Sequence, residues 1–84
     1  CLSHLGFQYR TDKVCDLTIA KKTSETDLII GGHTHTFMSE PVIVKNKANR
    51  EILINQVGCY GINLGRIDFY LDSKITTSGV QILV

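Results

Sequence analysis

Eighty-four residues with nine Lys and Arg against eight Asp and Glu give a net charge of +1 and a chain that is 43% hydrophobic, the profile of one small globular unit. The basic residues form no stripe and are not interleaved with aromatics, which argues against nucleic acid as a partner, and no apolar run approaches the ~20 residues that a membrane-spanning helix needs. A chain of this length buries only about 60% of its unfolded surface, so its core is small.

The opening Cys1 to Leu5 is short and apolar, ends in Gly6, and reads as the exit of a strand. It starts without Met and without a signal-peptide pattern, as a processed or excised segment would. From Lys13 to Thr23 the sequence predicts a helix, with Thr11 or Asp12 as its N-cap and Lys21 and Lys22 at the end where cations oppose the macrodipole. Asp27 to Ile30 follows as a buried strand. Strand, helix, strand is a βαβ unit with two parallel strands and a right-handed crossover.

After Pro41 the pattern becomes antiparallel. Val42 to Val44 and Glu51 to Val57 flank the polar turn Asn46 to Arg50 and read as a hairpin. Gly58 to Gly65 carries three glycines and reads as a loop, and Gly65 to Leu71 alternates, with Ile67, Phe69 and Leu71 on one face and Arg66, Asp68 and Tyr70 on the solvated other. After the loop Asp72 to Ser78, Gly79 to Val84 is a further strand. Cys1, Cys15 and Cys59 are odd in number and form no CxxC pair, so they read as small buried hydrophobes and not as a zinc ribbon or a complete disulfide framework.

The chemistry is concentrated in "LIIGGHTHT", Leu28 to Thr36. Gly31 and Gly32 remove side chains where the backbone must turn or pass close to something. If His33 and His35 are extended, their spacing sends both imidazoles to one side, about 6 to 7 Å apart at the backbone. Ligands of open α/β sheets bind at the carboxyl ends of the strands, where His4 and the pair His33 and His35 all fall. These are the chain's three histidines, and neutral imidazole is the commonest metal-binding side chain, so the expected ligand is a divalent transition ion. Its binding should fail as pH falls through the imidazole range. Asn55, Gln56, Tyr60 and Asn63 either approach a phosphate or a partner domain or serve the turns. Phe37 and Met38 either line a substrate entrance or pack under the loop.

In order along the chain, "LSHLG", the helix, "DLIIGGHTHT" and "NQVGCYGINLGRIDFYLD" resemble the C-terminal part of the calcineurin-like metallophosphoesterase domain, in its 5'-nucleotidase and UDP-sugar hydrolase branch. The resemblance implies an α/β piece of a four-layer α/β/β/α sandwich, with residues 1–84 as the C-terminal segment of the catalytic domain. It implies His4 and His33 on one ion of a dinuclear centre of Zn, Mn or similar metals, and His35 on the other. The catalytic His, the bridging Asp and the other ligands of that family lie in signatures absent from these residues, so no catalytic residue is assigned here. The implied reaction is attack of metal-activated hydroxide on a phosphate ester, a nucleotide in that branch, in a periplasmic or cell-surface setting. By itself the segment is expected to be inactive, to bind at most one ion weakly, and to associate with further copies or with the N-terminal half of its domain. A non-catalytic metal-binding or interaction module, and a phosphodiesterase with another substrate, are the alternatives.

Overall fold

The computed structural model describes residues 1–70 and the backbone of the strand Thr76–Leu83. One helix, α1 (Asp16–Lys22), lies on a three-stranded sheet, and a two-stranded ribbon follows. The strands are β1 (Leu28–Ile30), β2 (Val42–Lys45), β3 (Glu51–Asn55), β4 (Asn63–Tyr70) and β5 (Thr76–Leu83).

α1 is shorter than the sequence predicts. Its N-cap is Cys15, extended at φ −149° and ψ 174°, and not Thr11 or Asp12. The Thr18 hydroxyl accepts the Cys15 N–H at 3.1 Å, satisfying a donor at the helix entry. Lys21 and Lys22 occupy the last turn, as expected. Ala20 is fully buried against the sheet.

The order β1-β3-β2 makes β3 the central strand. β2 and β3 form the expected antiparallel hairpin, from Val42 opposite Ile54 to Lys45 opposite Glu51. Asn46 closes the turn with its side-chain oxygen, which accepts the N–H of Ala48 and of Arg50, each at 2.9 Å. The other edge of β3 corrects the reading of a purely antiparallel second half: β1 pairs with β3 in parallel, Leu28 opposite Leu53 and Ile30 opposite Asn55. Ile52, Leu53 and Ile54 are buried without alternation, as a strand covered on both faces requires. Leu2 does lie parallel beside Ile30, the neighbour relation of the βαβ reading, but as a single bridge and not as a strand over residues 1–5.

Ala20, Ile29, Met38, Ile52 and Ile54 form the core, with Phe7, Leu17, Ile19, Val42 and Val44 packed around it. Each fully buried Ile contributes roughly 1.5 to 3 kcal/mol relative to exposure. Met38 thus packs under the loop, while Phe37 is exposed and covers Gly58, which has a φ of +87°. Of the cysteines only Cys15 is buried; Cys1 is exposed and Cys59 intermediate, because neither sits on a core-facing position, and all three are free thiols.

β4 begins at Asn63, two residues before the predicted start, which places Gly65 inside the strand and shortens the preceding loop. It pairs with β5 from Asn63 opposite Leu83 to Tyr70 opposite Thr76, so residues 76–78 belong to the strand and not to the loop. Alternation along β4 is incomplete: Ile67 and Asp68 are both half-buried and Phe69 is exposed. Arg66 and Asp68 pair at 3.2 Å on its exposed face, a contact worth at most about 1 kcal/mol. The expectations for Leu71, for residues 72–75 and for Val84 lie outside the described residues.

Candidate metal centre

The bridge between Leu2 and Ile30 sets two chain exits side by side, since the Ser3 N–H donates to the Ile30 carbonyl and the Ile30 N–H to the Cys1 carbonyl, both at 2.9 Å. His4 leaves one exit and His33 the other. Their rings meet edge to face with centroids 5.1 Å apart and planes at 71°, and both side chains are exposed.

His33 and His35 are not extended. Their φ angles are +70° and +52°, left-handed values that cost a non-glycine residue about 1 to 2 kcal/mol each. The His35 ring meets Tyr60 edge to face, with centroids 5.9 Å apart. The structure brings the His4 and His33 rings together and seats the His35 ring against Tyr60, and the left-handed backbone corrects the expectation of an extended pair at His33 and His35. Among the described residues no set of three His, Cys, Asp or Glu side chains surrounds a common point. Left-handed histidines in a short loop are local strain of the kind that persists only where the surrounding structure holds it.

What holds the loop is Gln56, two per cent exposed and just beyond β3. Its amide nitrogen lies 3.2 Å from the Gly32 carbonyl and 3.3 Å from the Thr34 hydroxyl, and its oxygen accepts the Thr36 N–H. The Thr34 hydroxyl also accepts the Phe7 N–H at 3.1 Å and contacts the Thr36 hydroxyl at 2.8 Å. Gln56 is thus a scaffold for the histidine loop, lying beneath it. Asn63 likewise serves the turn, its amide 3.4 Å from the Val57 carbonyl, and Asn55 is buried, its carbonyl accepting the Gly31 N–H at 2.9 Å. Of the four polar residues near the loop only Tyr60 faces solvent, 87% exposed.

Gly31 and Gly32 have ordinary φ angles and are needed for room. A Cβ at Gly32 would sit 3.3 Å from His4 Nδ1, and one at Gly31 would collide with the Asp16 carboxylate. Asp16 is a residue that the sequence reading missed: it is fully buried, and its Oδ1 accepts the Ser3 hydroxyl at 2.5 Å. Asp16 Oδ2 is buried without a hydrogen-bond partner among the described residues. The one sequence signal for it was the glycine it faces. At the helix start, burial raises the pKa of the Cys15 thiol, but this is outweighed by hydrogen bonds from the Thr18 backbone and hydroxyl and from the Leu17 and Tyr9 backbone, which leave it below its ordinary value. A cleft of ≈ 280 Å³ between the two sheets is lined by Leu28, Ile30, Gln56 and Ile67 among others, and by none of the histidines.

The chain is a small α/β segment in which the His4 and His33 imidazoles stand at the carboxyl ends of adjacent parallel chain segments. The chain is 40% identical over 73 residues to the trifunctional nucleotide phosphoesterase protein YfkN of Bacillus subtilis, covering 87% of this chain and 4% of that protein. It is 31% identical over 99 residues to the snake venom 5'-nucleotidase of Gloydius brevicauda, covering 99% of this chain and 16% of that one. In fold it matches the crystal structure of a 5'-nucleotidase precursor from Thermus thermophilus at a TM-score of 0.74 and 24% identity, over 81% of this chain and 16% of that one. No protein-family model matches. This chain is homologous to a short segment of the 5'-nucleotidase family.

Proposed function

We propose that this chain supplies the histidine edge of a dinuclear metal centre in a phosphoesterase domain that hydrolyses nucleotides or related phosphate esters. The observation that carries the reading is the exposed pair His4 and His33 at 5.1 Å, set beside a strained loop that presents His35 separately. The donor set fits this role: two neutral-capable imidazoles side by side for one ion, and a third on the same loop for a second. Divalent ions bound there supply Lewis acidity and an activated water for attack on phosphorus. The chain's own part is to hold the imidazoles. Gln56 fixes the loop through Gly32, Thr34 and Thr36, and Gly32 leaves room for His4 to stand over it. In this reading residues 1–84 belong to the C-terminal part of a four-layer sandwich, and the remaining ligands come from other parts of the domain. The kinship with a nucleotide phosphoesterase and with 5'-nucleotidases supports a nucleotide substrate.

The test is hydrolysis of AMP and p-nitrophenyl phosphate by the full-length protein with Mn or Zn, together with metal content. The expected result is metal-dependent turnover that His33→Ala abolishes. Bound metal without turnover on any phosphate ester would point instead to a non-catalytic binding module.

A further inference from the structure

We propose that Asp16 is the positioning residue of the histidine pair, its buried carboxylate setting where His4 and His33 stand relative to one another. The inference rests on the metal reading of that pair. Among the described residues the largest fully buried side chains are Ile29, Ile52, Ile54 and Asp16. The first three build the core, whereas a carboxylate in that company costs stability unless its oxygens are satisfied. Only half of that requirement is met, because Oδ1 accepts from Ser3 while Oδ2 has no hydrogen-bond partner among the described residues. An apolar residue of similar size would serve the core better. The position of the carboxylate explains why an acid stands there.

Asp16 touches both chain exits that carry the pair. On the His4 side it holds Ser3, whose hydroxyl also accepts the Leu5 N–H at 3.2 Å, so the residues on either side of His4 are tied to one hydroxyl fixed by Asp16. The Asp16 N–H donates to the Gly6 carbonyl at 2.8 Å, anchoring the same segment further along. On the His33 side Oδ2 abuts Gly31, whose N–H is held by Asn55, and Gly31 leads through Gly32 into His33. One carboxylate therefore sets the height of both loops above the helix start. Shifting it moves the imidazoles apart or together without touching either.

The experiment uses the full-length protein with the variants Asp16→Ala, Asp16→Asn, Ser3→Ala and the double variant Ser3→Ala with Asp16→Ala. The readouts are Zn2+ affinity by competition with a chromophoric chelator, the visible spectrum of the Co2+-loaded protein, and metal-free melting. Asp16→Ala should weaken Zn2+ binding about 10-fold, the low end for loss of an outer partner, since it acts on the imidazoles only through Ser3 and Gly31. Asp16→Asn, which keeps the acceptor for Ser3, should recover part of that loss. Ser3→Ala should weaken binding, and the double variant should be no worse than Asp16→Ala, the non-additivity of one shared path. The cobalt spectrum should change while the metal-free melting temperature holds or rises. Unchanged affinity in the Asp16 variants, with His33→Ala losing metal, would reduce Asp16 to a core residue and overturn the proposal while leaving the metal reading intact. Full affinity in His33→Ala would overturn both. Should Asp16→Ala fail to fold, Ser3→Ala decides, since its affinity must still fall.

Discussion

His4 and His33 stand edge to face with their ring centroids 5.1 Å apart, although one precedes the helix and the other follows β1. The single parallel bridge between Leu2 and Ile30 produces this meeting. It makes His4 and His33 a unit, and it leaves His35 to a different neighbour, Tyr60.

That division predicts unequal effects of substitution. If the proposed function holds, His33→Ala in the full-length protein should cut hydrolysis by more than the ~100-fold typical of losing an outer partner, since it would remove a direct ligand. His35→Gln, which retains an oxygen donor, should be milder. Because His33 has a φ of +70°, His33→Gly should be about 1 kcal/mol more stable than His33→Ala while being equally inactive. Paired measurements of kcat/KM and of urea midpoints check both statements.

Gln56 predicts a separable loss. Replacing it by Leu removes the bonds to Gly32, Thr34 and Thr36 and leaves their polar groups unmatched, at about 1 to 3 kcal/mol. The damage should stay in the loop. Amide hydrogen exchange at Thr34 and Thr36 should accelerate in Gln56→Leu, while Ile52 and Ile54 in β3 remain protected.

At Gly31 the expectation is steric. Gly31→Ala drives a methyl into the Asp16 carboxylate and should destabilise by about 1 to 3 kcal/mol, the range for overpacking. In the background of Asp16→Ala the same substitution should become nearly harmless, which a double-mutant cycle of unfolding free energies measures directly.

Cys15 gives a pH signature. Burial raises its pKa but is outweighed by hydrogen bonds from Thr18, Leu17 and Tyr9, so the folded thiol ionises below its ordinary value. A lowered folded pKa adds stability that is fully present above the unfolded pKa and is lost as pH falls through the folded one. Wild type should therefore gain stability relative to Cys15→Ser as pH rises toward the ordinary thiol range, read from denaturation midpoints taken at intervals from neutral pH upward.

The strand β1, the hairpin of β2 and β3, and the placement of His4 and His33 at a shared edge are legible in the sequence because each rests on local composition and one topological rule. The orientation of His35 was not legible. The rule that alternate residues share a side holds only for extended backbone, and the left-handed turns at His33 and His35 are held by Gln56, which is brought under the loop by the central position of β3. A signal for that position did exist: Ile52, Leu53 and Ile54 run on without alternation, which marks a strand buried on both faces. The helix start was misplaced because Thr11 and Asp12 look like caps, whereas Thr18 reaches back to Cys15 and starts the helix there. Asp16 carries no mark of its own, since nothing in an acid near a helix start distinguishes a buried carboxylate from a solvated one, and Gly31, which it faces, is its one trace in the sequence.

The central place of β3 also orders events in time. The hairpin of β2 and β3 closes through the short turn at Asn46 and needs no distant partner, so it belongs to the fast, local phase of assembly. β1, which is further from β3 along the chain, should dock on its free edge afterwards and bring Gly32 and Thr34 over Gln56. The histidine loop should accordingly form last. Substitutions within it should leave the folding rate alone and show themselves in the rate of unfolding, and the chain's first excursion from the native state should be the opening of that loop.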